Sequence, residues 1–357
     1  MKSNSTSLLL GLFSLLTFGV FAQSAEQMAE AISTETDPEF IYEYQGSKFV
    51  PPAGKTLLIM GQTKEGITDY QNKFGNEEAP AGWSAYWGIP EFKGVASAFK
   101  NNTGSTQNHQ MLVDEFPNTV IQSAMWMVGT WDVAKKTGFG SYDKVIKQYA
   151  RWAKKIKRPI YLRIGYEFDG PHNELEPRDY IRAYKRIVDL FRAEKADNIA
   201  FVWHSYAAKP YKGYNIADWY PGDDYVDWVG VSIFGHAYGG DDFGAECDAV
   251  LAFAKQHAKP VMIAESNPIH GISKDDPKVW EEWFVPYFNF IHKKNIKAVS
   301  FINEDWTSLS IAGIEHWKDA RLSNNELVAK AWFEATAQKR FLHASKKLYK
   351  QLGYKKK

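Results

Sequence analysis

From residue 56 to residue 303 the sequence repeats one unit: a short apolar run, a polar loop, then a stretch with helical spacing. The apolar runs fall at 56–61, 82–89, 119–128, 158–167, 198–205, 226–234, 259–266 and 296–303, and their β-branched, aromatic and aliphatic content is that of buried strands. Between them, Val145, Ile146, Tyr149, Ala150, Trp152 and Ala153 recur at helical intervals, as do Ile181, Tyr184, Ile187, Val188 and Phe191. Further helices are expected at 249–256 and around Trp280, Trp283 and Phe288, whereas Asn101 to His109 reads as a surface loop. Strands alternating with helices at this spacing specify a parallel sheet with right-handed crossovers, and eight of them close into an α/β (β/α)8 TIM barrel. An open doubly wound sheet is the competing fold, but no strand runs into a glycine fingerprint for a nucleotide.

Two of the strands end in a carboxylic acid. Arg158-Pro-Ile-Tyr-Leu-Arg-Ile-Gly-Tyr-Glu-Phe-Asp-Gly170 delivers Glu167 just before the Asp169-Gly170-Pro171 turn, and alternation puts Arg163, Gly165 and Glu167 on one face. Lys259-Pro-Val-Met-Ile-Ala-Glu-Ser266 repeats the design, with Val261 and Ile263 in phase with Glu265. A face carrying a guanidinium and carboxylates is costly unless it opens on a cleft. Carboxylates at the carboxyl ends of two parallel strands meet at the catalytic face of a barrel, which makes this pair the candidate chemistry.

The 357 residues carry a net charge of +1, so no global field points to nucleic acid or an acidic partner surface. Lys2 and the apolar segment from Leu8 to Ala22 have the layout of a cleavable secretory signal over 1–22, implying a secreted or periplasmic protein with no membrane segment after cleavage. The single cysteine, Cys247, excludes an internal disulfide framework and Cys-based metal clusters. No cofactor or metal is expected: His236 and Asp241-Asp242 lie close in sequence without ligand spacing, and no Gly-x-Ser-x-Gly elbow occurs. Domain boundaries are expected at 23–54 for an N-terminal extension, 55–340 for the barrel and 341–357 for a basic, solvated tail, the whole acting as a monomer. Aromatic residues make up 15% of the chain; they serve either as core or as platforms for the apolar faces of sugars.

With the first strand at Thr56, the Glu167 strand is fourth and the Glu265 strand seventh. That placement is the hallmark of the clan A retaining glycoside hydrolases, which the chain resembles over roughly residues 55 to 335. The segments Leu162-Arg-Ile-Gly-Tyr-Glu-Phe-Asp-Gly170, Trp219-Tyr-Pro-Gly-Asp-Asp-Tyr-Val-Asp-Trp-Val-Gly230 and Lys259-Pro-Val-Met-Ile-Ala-Glu265 are similar to glycoside hydrolase family 26, whose members include β-mannanases and β-1,3-xylanases. The resemblance implies Glu265 as nucleophile, Glu167 as acid/base, and a secreted endo-acting enzyme on β-1,3-xylan, mannan or an algal polysaccharide. The sequence departs from the mannanase-like pattern at Tyr166, where those members carry His, which tilts the reading from mannan towards β-1,3-xylan or an algal polymer. It departs again after strand six, where a Tyr that supports the nucleophile is usual and this chain offers Phe234, with Tyr238 or His236 nearby.

Arg163 is a candidate to hold a carboxylate ionised, and Trp203 and His204 end strand five within reach of the same mouth. By resemblance Trp306 is the strand-eight sugar platform. Trp83, Trp87, Trp126 and Trp131 lie near strands two and three, where distal sugars would sit, and at least one of them is expected to be a platform. Asp169, Asp227 and Glu304 could instead supply a differently placed acid pair. The alternative from another class is a catalytically inactive carbohydrate-binding barrel.

Overall fold

In the computed structural model, which describes residues 23–75, 79–127 and 132–355, the eight expected runs form eight parallel strands. They are β1 (Thr56–Gly61), β2 (Gly82–Gly88), β3 (Val120–Trp126), β4 (Ile160–Ile164), β5 (Ile199–Ser205), β6 (Trp228–Ile233), β7 (Val261–Ser266) and β8 (Ala298–Ile302). Each pairs with the next, and β8 returns to β1 from Leu57↔Ala298 to Gly61↔Ile302, closing a (β/α)8 barrel. The expected signal segment 1–22 and Trp131 lie outside the described residues.

Alternation along each strand divides two cores. Leu58 and Met60, Ile160 and Leu162, Phe201 and Trp203, and Val229 and Val231 face the helices, including Asp143–Ile156, Pro177–Ala193, Ala245–Gln256 and Glu326–Thr336. Leu57, Ile59, Tyr161, Ala200, Val202, Trp228, Met262 and Ala264 fill the barrel interior. The interior grades upward from this apolar floor to Arg163, His204 and Ser232, all fully buried at the carboxyl ends of the strands. Between β5 and β6 the crossover is made of three short 3-10 turns rather than an α-helix.

Both termini seal the floor. Tyr161 donates to the Phe49 carbonyl at 2.6 Å, Trp228 to that of Lys48 at 2.8 Å, and Lys297 to that of Pro52 at 2.9 Å, so the extension is an integral plug. The expected solvated tail is also packed. A ninth strand, β9 (Phe341–Leu342), pairs with the start of β1, and Leu348 and Leu352 join the floor core at 0% and 3% exposure. Apolar residues interleaved with the lysines give this segment a buried face that its charge conceals. The segment expected as a loop, Asn101 to His109, instead holds one arm of a hairpin (Phe99–Lys100 with Thr106–Gln107) that leans over the mouth, and His109 starts a helix with its ring buried between Gly94 and Ser123.

Candidate active site

Glu265 reaches the interior through a register shift. Strict alternation would put it with Val261 and Ile263 on the helix-facing side. Pairing with β6 slips between Val231↔Ile263 and Ser232↔Glu265, and pairing with β8 slips over the same stretch, so the side chain is re-aimed into the mouth. Glu167 arrives differently again. β4 ends at Ile164, and both Gly165 (φ +55) and Glu167 (φ +51) take left-handed backbone, so a turn rather than a pleat presents the carboxylate. Gly165 is required there twice over, because a Cβ would lie 2.4 Å from Met127 Cε as well as on a positive φ.

Around Glu265 the structure gathers Arg163 from β4 and the Tyr86 hydroxyl from β2, both donating to Oε1. The Arg163 guanidinium is wholly buried, lying over the rings of Tyr86 and Tyr166 at 5.0 Å and 5.5 Å. Burial pushes the Glu265 carboxyl up from its ordinary range; Arg163 opposes that shift, the Glu167 charge adds to it, and the Tyr86 hydrogen bond opposes it. The Arg163 contact and the phenolic donor favour the carboxylate form of Glu265.

Glu167 is held from two sides. Its Oε1 accepts from the Ser232 hydroxyl at 2.5 Å, and its Oε2 lies 2.8 Å from His172 Nε2. Ser232 Oγ in turn lies 3.0 Å from His204 Nε2, whose Nδ1 faces Arg163 NH1 at 3.4 Å. Since Ser232 gives its proton to Glu167, His204 must donate from Nε2 and keep Nδ1 bare towards the guanidinium. Burial, then Arg163, holds His204 well below its ordinary pKa, consistent with that neutral tautomer. The two glutamates are thus the ends of one chain, Glu265–Arg163–His204–Ser232–Glu167.

A groove of about 600 Å³ leads away from Tyr86 and Tyr166 past Gln62, Phe99, Asn101 and Trp126. Trp126 is 39% exposed, and its ring lies across Gly88 on the neighbouring strand, where a Cβ would be 2.9 Å from the indole. The hairpin is fixed to this wall by Tyr86 N donating to Gln107 Oε1 at 2.8 Å.

Several sequence candidates are placed elsewhere. Trp203 faces the helix layer, fully buried and stacked on Phe168 at 4.4 Å, because its neighbour His204 holds the inward phase. Trp87 is 3% exposed and stacked on Tyr149 at 4.3 Å, forming backing for the groove rather than a platform; Trp83 is buried against Phe116. Phe234 packs on Trp317 in a small cluster with Trp306, which is 7% exposed beside the mouth with an indole N–H that has no protein partner. Tyr238 accepts from His270 N at 3.3 Å, and His236 bridges Phe234 N and the Ala207 carbonyl, so neither of these hydrogen bonds goes to Glu265. Tyr86 holds that place from the opposite side of the barrel.

Asp227 bonds Phe201 N at the floor end of β6. Asp169 accepts from Ser205 and Tyr206 N, both at 2.6 Å, and burial raises it to about 6. Glu304 accepts from Thr63, and burial lifts it to about 7. These acids tie strands and loops together. Among the described residues no three His, Cys, Asp or Glu side chains gather as metal ligands, and no helix is long and apolar enough to cross a membrane.

Three functional positions were not singled out in the sequence: Tyr86, Ser232 and His172. Tyr86 and Ser232 had a signal, since each is out of phase with apolar residues facing the helices, Trp83, Ala85 and Trp87 in one case and Val229, Val231 and Ile233 in the other. His172 lies in an irregular turn, where spacing carries no such information.

The family model for Glycosyl hydrolase family 26 matches residues 97–315. The chain is 29% identical over 331 residues to the β-1,3-xylanase TXYA of a Vibrio species, spanning 86% of this chain and 70% of the relative. It is 28% identical to a β-1,3-xylanase of an Alcaligenes species, spanning 86% and 68%. Its fold is similar to that of a GH26 β-mannanase from Bacteroides ovatus, with a TM-score of 0.59, 14% identity and coverage of 82% and 91%.

Proposed function

The chain belongs to glycosyl hydrolase family 26 and is a glycoside hydrolase acting on O-glycosyl bonds, and from that premise we propose that it is a secreted, endo-acting β-1,3-xylanase working by retaining double displacement. Glu265 is the nucleophile and Glu167 the acid/base. The observation that carries the assignment is the asymmetric setting of the two carboxylates on one hydrogen-bonded chain: Glu265 against a guanidinium and a phenol, Glu167 between a hydroxyl and an imidazole.

In the first step Glu265 attacks the anomeric carbon while Glu167 gives its proton to the departing glycosidic oxygen. In the second, Glu167 takes a proton from water, the water oxygen bonds the anomeric carbon, and Glu265 leaves as carboxylate. Arg163 and Tyr86 steady Glu265 as its charge is lost and regained. The sugar being transferred sits over Glu265, so the groove on the Tyr86 side holds the glycone; the Glu167–His172 side receives the leaving chain. A groove of that volume with the exposed Trp126 in its wall suits binding within a polymer.

The substrate assignment is supported by the two β-1,3-xylanase relatives and by Tyr166. Tyr166 lines the groove beside Tyr86 with its ring 5.2 Å away, an aromatic wall suited to a sugar without a hydroxymethyl arm.

The test is reducing-end release from β-1,3-xylan, β-1,4-xylan, mannan and algal galactans, with NMR of the first-formed anomer. Release of β-anomeric oligosaccharides from β-1,3-xylan is expected. Glu265→Ala should lose turnover on every substrate while still binding sugar, and Glu167→Ala should lose it except where the leaving group needs no proton. Wild-type activity in both variants would overturn the assignment, and binding without release by the unmodified protein would make it a carbohydrate-binding barrel.

A further inference from the structure

His172 has no part in the mechanism so far, yet it bonds the buried acid/base and is itself open to solvent. The Glu167 side chain is 8% exposed and that of His172 47%, with Nε2 2.8 Å from Oε2. The turn carrying it is built to aim the ring. Asn173 clamps the Tyr166 and Glu167 carbonyls at 3.0 Å and 2.9 Å, and Asp169 anchors the turn to the end of β5. Any Cβ on Gly170 would fall 2.5 Å from His172 Cε1, so glycine there makes room for the imidazole. From the other side Tyr206 meets the ring edge-on at 5.1 Å.

Both Glu167 oxygens are thereby engaged, Oε1 by Ser232 and Oε2 by His172. The hydroxyl is buried and bonded onward to His204, whereas the imidazole is open to water and can exchange protons with it. We propose that His172 is a positioning residue that stores the proton Glu167 must donate, so that the His172–Glu167 pair rather than Glu167 alone sets how far activity extends into alkaline pH. The inference rests on Glu167 being the acid/base.

The proton count closes over one turnover. A proton passes from His172 Nε2 to Glu167 Oε2, leaving neutral imidazole and carboxylic acid. Glu167 passes it to the glycosidic oxygen as the C1–O bond breaks and Glu265 bonds C1. Water then gives Glu167 a proton as its oxygen replaces Glu265 on C1, and that proton returns to His172. The sum is one water consumed per bond cleaved.

The carboxylates facing His172 favour a proton there, Glu167 and Asp169 from its own turn and Glu265 from β7, and the neutral Tyr206 ring after β5 packs edge-on against it. Burial pulls the imidazole down, but the Glu167 bond and the three carboxylates outweigh it, and the net direction is upward. The last proton is shared between the two groups, so its loss belongs to the pair, and removing the imidazole removes one of the two sites that hold it.

The experiment compares kcat/KM against pH for the wild type, His172→Gln and Glu167→Ala, on a β-1,3-xylooligosaccharide and on a dinitrophenyl glycoside whose departure needs no proton. Glutamine keeps a donor towards Oε2 and cannot titrate. The alkaline limb of His172→Gln should move down by a pH unit or more on the oligosaccharide, while on the dinitrophenyl glycoside the limb keeps its place whatever the height of the plateau. A purely structural role would lower both substrates alike at every pH. An unshifted limb with Glu167→Ala inactive on the oligosaccharide overturns the His172 inference alone; a Glu167→Ala active on the oligosaccharide overturns the parent assignment as well. A readout independent of the variant's folding is the NMR titration of His172 in wild type and Glu167→Gln. Its midpoint should fall by a unit or more in Glu167→Gln, and an unchanged midpoint refutes the storage role.

Discussion

Tyr86→Phe removes one hydroxyl and little else. The ring keeps its edge contact with Tyr166 at 5.2 Å and its place under the Arg163 guanidinium at 5.0 Å, so no cavity or new charge is created. What disappears is a donor to the Glu265 carboxylate, and a hydrogen bond to a charged group is worth about 1.5–3 kcal/mol. At 1.36 kcal/mol per tenfold, that is roughly a 10- to 150-fold change in rate. The loss should fall most heavily on the second step. There Glu265 departs as an anion, and the missing phenol would have met the returning charge. The glycosyl-enzyme should therefore accumulate, giving a burst on a dinitrophenyl glycoside and a mass increment of one sugar. The Tyr86 bond also lowers the proton affinity of Glu265, so the acid limb of the pH profile should move to higher pH. A kcat within twofold of wild type, with no burst and an unmoved acid limb, would refute the role given to Tyr86.

Glu304, lifted by burial from 4.5 to about 7, binds its proton more tightly folded than unfolded. Its stabilising contribution is complete below pH 4.5 and lost as pH rises through 7, about 3 kcal/mol in all, so urea midpoints should fall between pH 5 and 8, more steeply than in Glu304→Gln. Trp126→Ala removes the exposed indole that we propose as a sugar platform; covering about 50 Å² of indole at ~25 cal/mol per Å² gives ~1.3 kcal/mol, or near tenfold in KM for long oligosaccharides and little for the shortest. Gly165→Ala forces a side chain onto φ +55 and into Met127; strain and overpacking together should cost about 2–4 kcal/mol, read as a lowered melting temperature, with activity lost as Glu167 is displaced.

The barrel was legible because its signal is redundant: eight apolar runs and their crossovers leave little other topology. Glu167 and Glu265 were legible as strand-end acids, but the reason each reaches the mouth was not. Alternation assigns Glu265 to the side of Val261 and Ile263, and only the slip against Ser232 corrects it. Glu167 depends on left-handed backbone at Gly165 and at its own position. Residue type and strand position make Trp203 a candidate for the mouth and Trp87 one of four candidates for a platform, although phase places both among the helices, beside Phe168 and Tyr149. Tyr86 escaped notice for the converse reason. It faces Glu265 across the barrel, 179 positions away in sequence, and local spacing carries no cross-barrel information.

The buried Arg163 explains why two similar glutamates at one mouth can take opposite roles. A guanidinium with no exposure, whose Nε and NH2 have no protein hydrogen-bond partner, is a costly element of a barrel interior. Tyr86 and Tyr166 shield it on their ring faces, and Glu265 meets its charge. Had Arg163 reached both carboxylates directly, both would be driven to the anionic form and neither could carry a proton to the leaving oxygen. His204 and Ser232 stand between it and Glu167, and both are neutral: burial and Arg163 itself keep His204 uncharged, and Ser232 passes on only a hydroxyl dipole. The Arg163 charge is thus spent on one end of the chain, while on the barrel side the other end meets only neutral groups and its one cationic neighbour, His172, can hand over a proton as a guanidinium cannot, which is the difference in environment a nucleophile and an acid/base require.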